Sequence, residues 1–377
     1  MIRLKICIVN HDFSLGGVQR VAVELARGLS TIANYELYLF DFLGKDDVFY
    51  DIEPGVCMLN NVRGRKMSER VLSKVLNFRY KITRKPYKLE LCMKNLLIGL
   101  CESIEMNQFD CLILCQGLLT ALIPSLKKVY PYLKIIAWQH SDYEAYKKYY
   151  AAFLADYFIG LAKADVVVCL TEYSFQYYKE HNDNTVFIYN PLTLHHQEIS
   201  DLESNKVIFV GRMEVEPKGL DFLVDIAERT SNKWQFLLAG AGKDESNIRK
   251  VIRLRGLEDK VILVGALRDD DLKDHYLKGA VYASTSRWEG FGLVLLEAMS
   301  CGLPIVAFDI PSTREMLNDS QCGMLVEKYD LEQFANAIDR LMVDKSLREY
   351  YQKKGLERVK DFSINQIVKE WQSLVGK

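Results

Sequence analysis

Two doubly wound α/β domains in tandem are the fold this sequence predicts, and three observations predict it. Short apolar runs alternate with segments of helical apolar spacing along the chain. A polar, aperiodic stretch at 195–206 interrupts the alternation, which then restarts. The length of 377 residues suits two substantial domains of roughly 150 residues each.

In the first half, Leu4-Lys5-Ile6-Cys7-Ile8-Val9 reads as a strand stopped by Asn10-His11-Asp12. Ser14-Leu15-Gly16-Gly17 is a turn, after which Val18, Val21, Ala22, Leu25, Ala26 and Leu29 recur at helical spacing. Further strands fall at 35–40, 111–115, 134–138, 165–170 and 186–189. The second series opens with a strand at 207–210 and a helix from about 219 to 228. Strands follow at 234–239, 261–264, 279–283 and 304–307, and helices at 244–256, 269–277, 293–300 and 330–342. Each strand is short and mostly apolar, the pattern of parallel strands buried on both faces. The tail at 350–375 reads as helix. A first domain at 1-195, a second at 196-358 and a C-terminal helix at 359-377 follow.

Composition narrows the function. Hydrophobic residues make up 49% and charged residues 26%, as in a globular protein with real cores. Lys and Arg number 49 against 50 Asp and Glu, a net charge of −1, which argues against a dedicated nucleic-acid binder. Nine scattered cysteines form no disulfide framework or zinc set and read as buried thiols of a reducing compartment. Cys111 and Cys115 fit a strand core better than a metal site. Nothing at the start resembles a signal peptide, and every 18-residue apolar stretch carries charge, so a cytoplasmic location is expected.

The strongest local charge signal runs from Arg63 to Lys88, with ten basic residues against Glu69 alone. Its charges interleave with Val71, Leu72, Val75, Leu76, Phe78 and Ile82. Such a basic amphipathic segment suits an anionic membrane surface, and less well an RNA groove or a solvated helix over the core.

Several constellations can carry chemistry. Gly16-Gly17 follows a strand and opens a helix, where a phosphate can approach backbone N–H groups; the Gly-x-Gly-x-x-Gly fingerprint is absent. Arg212 and Lys218 flank the end of the 207–210 strand, a planar fork and a mobile point charge suited to a diphosphate. Glu289 lies in a glycine-rich loop and Glu297 in the helix after it; they suit sugar and ribose hydroxyls, an acid–base pair, or, for Glu297, a structural ion pair. Arg314 and Glu315 follow another strand end. His140 follows the 134–138 strand with Asp142 two residues on, and Ser141 lacks a nucleophile elbow. His195-His196 has no partner cluster for a metal. No Asp-x-Asp metal motif is evident, so no divalent cofactor is expected.

Gly16-Gly17, Gly211-Arg212…Lys218-Gly219, and Glu289-x7-Glu297 followed by Ala298-Met299…Gly302-Leu303-Pro304 together resemble the retaining GT-B glycosyltransferases of family 4. The resemblance implies two Rossmann-like domains facing across a cleft, with the C-terminal helix crossing back onto the first. It implies a nucleotide sugar, with UDP the prior, and a glycan acceptor of polysaccharide, lipopolysaccharide or glycoprotein-glycan assembly, while the basic segment suggests a lipid-linked glycan at the inner membrane face. Arg212 and Lys218 would contact the donor diphosphate, Glu297 the ribose and Glu289 the transferred sugar. Gly16 and Gly17 would approach the phosphates, the N–H groups of Phe291, Gly292 and Leu293 would support them, and main chain at Ala266 and Leu267 would meet the base. His140 would lie near the reacting centre. The segment Ile310-Pro311-Ser312-Thr313-Arg314-Glu315 departs from the family's double glycine, which puts the sugar contacts of Glu315 in doubt. Rival readings are an epimerase or soluble-polymer glucosyltransferase of the same architecture, and a non-catalytic nucleotide-sugar-binding module.

Overall fold

A computed structural model describes residues 3–194, 196–231 and 233–376, so the expectation for His195 lies outside the described residues. The chain divides into two compact units, Met1–Pro191 with Ile364–Lys377, and Leu192–Ser363.

Among the described residues, the first unit holds seven strands: β1 (Leu4–Asn10), β2 (Tyr35–Asp41), β3 (Val56–Asn60), β4 (Cys111–Cys115), β5 (Lys134–Trp138), β6 (Val166–Cys169) and β7 (Thr185–Phe187). They pair in the order β3-β2-β1-β4-β5-β6-β7, every pair parallel. Central strands bury both faces, and all five residues of β4 are inaccessible, which explains the unbroken apolar run Cys111-Leu112-Ile113-Leu114-Cys115. Burial pushes the Cys111 thiol up to about 12, so it behaves as a small core side chain. The helix Gly17–Ser30 covers the sheet with Val21, Ala22, Leu25, Ala26 and Leu29.

The second unit repeats the plan with β8 (Lys206–Val210), β9 (Gln235–Ala239), β10 (Val261–Gly265), β11 (Val281–Ser284), β12 (Ile305–Phe308) and β13 (Met324–Val326). Their order is β10-β9-β8-β11-β12-β13, again parallel throughout. Trp234, Phe236, Phe308 and Phe334 lie in its core.

Three elements differ from expectation. Strands β3 and β13 carry no distinctive pattern: β3 is mostly accessible and β13 is three residues long. The tail is two helices rather than one, Lys345–Val359 and Ile364–Val375, separated by a 3₁₀ turn at Lys360–Phe362. Phe362 is buried under the Arg358 guanidinium at 4.8 Å, and Ser363 is extended, so the chain leaves the helical path there. The last helix belongs to the first unit, where it buries Ile367, Val368, Trp371 and Val375. Gly28 makes room for it: a Cβ there would stand 2.4 Å from Val368 Cγ2.

Candidate functional site

In open parallel sheets, ligands bind beyond the carboxyl ends of the strands, where the strand order reverses. In the second unit that point lies between β8 and β11. Gly211 and Arg212 follow β8 directly, and the loop 285–292 follows β11 and leads into the helix Leu293–Ser300.

Lys218 closes the single helical turn Val215–Lys218, and Gly219 takes φ +63° to start the next helix, Leu220–Arg229. The Lys218 Nζ donates to Glu289 Oε1, and Ser286 Oγ donates to the same oxygen at 2.8 Å. Both charged side chains are largely covered, 12% and 15% exposed, so each sees its partner with little screening. A Cβ on Gly211 would crowd Phe209 Cζ at 3.0 Å and meet Lys218 Cε at an ordinary contact distance of 3.5 Å. Arg212 behaves differently. Its side chain is 66% exposed and reaches Glu214 Oε1 at 3.4 Å, so the two expected cations differ in environment as well as in chemistry.

Glu289 and Glu297 are also held differently. Glu297 is buried; Thr193 Oγ1 donates to its Oε1 and Tyr276 Oη to its Oε2, both at 2.9 Å. These hydroxyls, rather than cations alone, compensate the burial of the carboxylate. Gly292 has φ +94° and opens the helix Leu293–Ser300, whose leading N–H groups have no acceptor within the helix. Phe291 is buried against Phe362, ring centroids 5.9 Å apart. Ala266 and Leu267 follow the end of β10, on the same sheet edge. Arg314 is spent on a bidentate pair with Asp309, and the Glu315 carbonyl accepts from Arg358 Nη2 at 3.0 Å.

In the first unit, the Gly16-Gly17 turn is tied to Tyr50, whose hydroxyl accepts from Gly16 N at 3.2 Å and donates to Gly16 O at 3.0 Å. Gly16 itself is extended, so its backbone does not demand glycine. Asp12, beside the turn, accepts from Lys45, Ser14 and Gln19; burial opposes its ionisation, but these bonds win and hold it at about 2.

His140 stands just past β5. Its ring lies 4.2 Å from that of Trp138, which meets Trp371 of the last helix at 4.7 Å. Its Nε2 is enclosed without a hydrogen-bond partner, and burial lowers the imidazole to about 3. Asp142 does not face it: Asp142 caps the helix Tyr143–Tyr149, accepting from Ala145 N at 3.0 Å. The neutral histidine has a consequence for stability. Between pH 6.5 and 3 the unfolded chain binds a proton at this position that the folded chain does not, so stability falls as pH falls. The slope is about 1.4 kcal/mol per pH unit. Urea unfolding at pH 7 and pH 5 should show a smaller acid loss in His140→Gln than in the parent; parallel losses would overturn the assignment.

Other features are set aside by geometry. The chain does contain one Asp-x-Asp spacing, at Asp269-Asp270-Asp271, contrary to expectation. It opens the helix Asp269–Leu277, the favoured end for carboxylates; Asp269 and Asp270 are largely exposed, and Asp270 pairs with Lys273 at 3.2 Å. Among the described residues, no group of three or more His, Cys, Asp or Glu could hold a metal ion. A cavity of about 1090 Å³, lined by Trp234, Lys260 and Asp339, opens at the amino ends of the second sheet, the wrong edge for a doubly wound ligand site. Sequence reasoning missed Thr193, Tyr276 and Arg287, whose partners are distant in the chain, and Ser286, whose partner Glu289 lies three residues on.

Both units have the doubly wound architecture, in which ligands bind at the carboxyl edge of the sheet, and the charged pair stands on that edge in the second. Residues 193–358 match the glycosyl transferases group 1 family. Over 369 residues the chain is 26% identical to an uncharacterized glycosyltransferase of Haemophilus influenzae, covering 96% of this chain and 97% of the relative. It is 25% identical over 372 residues to the amylovoran biosynthesis glycosyltransferase AmsD of Erwinia amylovora, covering 96% of each. Among solved structures, Anabaena Alr3699/HepE in complex with UDP and glucose superposes with a TM-score of 0.75 at 15% identity, over 99% of this chain and 100% of that one. The family match is thus confined to the second unit, while the two Rossmann-like α/β units together match GT-B architecture.

Proposed function

We propose that this enzyme transfers a hexosyl or N-acetylhexosaminyl group from a UDP-sugar, with retention of configuration, to a glycan or lipid-linked glycan. The Lys218–Glu289 pair at the β8/β11 carboxyl edge carries the reading. When the bond from sugar to diphosphate breaks, negative charge grows on the leaving phosphate oxygens. Lys218 and Arg212 stabilise that charge more as it develops, which is how binding lowers a barrier. A phosphate that shares Lys218 also releases Glu289 to accept sugar hydroxyls. The N–H groups of Phe291, Gly292 and Leu293 add positive potential at a helix start. Main chain at Ala266 and Leu267 meets the base. In a ribose role, Glu297 accepts ribose hydroxyls beside the bonds from Thr193 and Tyr276, since each carboxylate oxygen can accept more than one donor. In the first unit, His140 offers an uncharged imidazole just past β5, and Gly16-Gly17 a turn tied to Tyr50.

The complex of HepE with UDP and glucose, together with the biosynthetic role printed for AmsD, supports this choice of donor and acceptor class. A mass-spectrometric screen of nucleotide sugars, read for slow hydrolysis as well as transfer and repeated with chelator, tests it. Turnover of a UDP-sugar unaffected by chelator is expected; turnover confined to another nucleotide, or chelator-sensitive, would overturn the corresponding part.

The acceptor side includes an anionic membrane surface. The helix Met67–Thr83 buries Glu69 and Leu76 and exposes Met67, Val71, Val75, Phe78 and Ile82. At 3.6 residues per turn these five fall within about 80° of one another. Arg70, Lys74 and Lys81 line one flank of this stripe and Arg79 the other, all exposed. Arg63 and Arg65 do not join them: Arg63 pairs with Glu102, and Arg65 Nε donates to the Cys92 carbonyl at 3.1 Å. Among the described residues no helix is long and apolar enough to cross a membrane. Flotation with phosphatidylglycerol vesicles should recover the protein, phosphatidylcholine vesicles should not, and Phe78→Asp/Ile82→Asp should abolish recovery. Equal recovery of parent and variant would overturn this docking face.

A further inference from the structure

We infer that Arg287 is a positioning residue that sets the placement of the Lys218 ammonium, an inference that rests on the donor-diphosphate reading of Lys218. A single helical turn is a weak platform for a catalytic cation, because few of its carbonyls can find a helical N–H donor and its backbone can shift. Here the loop after β11 donates to five carbonyls in succession, of which those of Val215 and Gly219 also accept from Gly219 N and Leu223 N. Arg287 Nη1 donates to Val215 O at 2.7 Å and to Glu216 O at 3.3 Å, and Arg287 N donates to Pro217 O at 2.9 Å. Thr285 Oγ1 donates to Lys218 O and to Gly219 O, both at 3.0 Å. The turn bearing Lys218 and the loop bearing Glu289 are thus laced together residue by residue.

The guanidinium is itself fixed from two further sides. Nη1 and Nη2 donate to the two carboxylate oxygens of Asp221 at 3.0 and 2.6 Å, and the guanidinium carbon lies 4.0 Å from the centre of the Phe222 ring. Asp221 and Phe222 belong to the first turn of Leu220–Arg229, the helix that Gly219 starts. One planar group therefore binds both sides of the Lys218–Gly219 junction. Arginine suits this task because five donors in one plane serve a carboxylate and two carbonyls together; lysine has neither the fork nor the reach to stack. Arg287 need not touch the donor. It acts by holding Lys218 where charge develops, and a shift of about 1 Å at such a group costs on the order of 100-fold in rate.

The test compares Arg287→Lys, Lys218→Ala and the double variant in steady-state turnover of the UDP-sugar, with calorimetric UDP binding and circular dichroism for each. Arg287→Lys should retain the native spectrum and lose about 10- to 100-fold in kcat. In the Lys218→Ala background the same substitution should cost less than about 2-fold, because its effect passes through a side chain already gone. Thr285→Val, which removes the other two carbonyl contacts, should show the same dependence on Lys218 and serves if Arg287→Lys does not fold. Losses that multiply in the double variants, or an unchanged kcat in Arg287→Lys, would overturn the inference. Wild-type turnover in Lys218→Ala would instead overturn the donor reading itself.

Discussion

Lys218→Ala should lower glycosyl transfer by about 100- to 1000-fold while the protein stays folded. Two effects combine. The ammonium that meets the leaving diphosphate is lost, and Glu289, only 15% exposed, keeps a carboxylate with Ser286 Oγ as its remaining donor among these groups. That carboxylate then repels an incoming diphosphate. Neutralising it in the same background, with Lys218→Ala/Glu289→Gln, should recover part of the donor affinity but little of the turnover. The affinity returns because the repulsion is gone, while nothing restores charge stabilisation as the bond breaks. Calorimetric UDP binding and initial rates separate the two. A double variant that binds UDP no better than Lys218→Ala would show that the pair does not face the diphosphate.

Gly219→Ala should destabilise the second unit by about 2–4 kcal/mol and abolish activity in the fraction that remains folded. Gly219 has φ +63°, and a Cβ there would stand 2.0 Å from the Thr285 carbonyl oxygen, a backbone atom that cannot rotate away. The turn would have to separate from the β11 loop, taking Lys218 from Glu289. Gly256 supplies the control. It has φ +65°, but a Cβ there meets nothing within 4 Å, so Gly256→Ala should cost only about 1–2 kcal/mol for the backbone conformation. Urea unfolding of the two variants measures the difference. Equal losses would mean that the Thr285 contact adds no strain and the loop yields readily.

How far these residues were legible in the chain depends on the range of the interaction that placed them. Lys218, Glu289 and His140 were legible because each follows a strand end, and strand ends are marked by local punctuation such as Gly211 and Gly290. Arg287 was not, although it lies two residues from Glu289, because a lone arginine in a loop looks the same whether solvated or bound to Asp221 66 positions away. Tyr276 and Thr193 were hidden for the same reason, and the environment of Glu297 with them: Thr193 stands 104 residues before its carboxylate. The basic stretch shows the opposite case. Its charge and apolar rhythm were visible, but only packing determined that Leu76 turns inward while Val75, Phe78 and Ile82 stay outside.

By itself the sequence determined the alternation of strands and helices, the two-part organisation and the residue types on the ligand edge. These follow from periodicity and turn chemistry, which operate within a few residues. The tertiary structure alone decided that the tail is split between the units, that Lys218 pairs with Glu289, and that Glu297 is held by two hydroxyls. Partner choice depends on which strand ends a parallel sheet brings side by side, and the crossovers between parallel strands separate those ends by tens of residues.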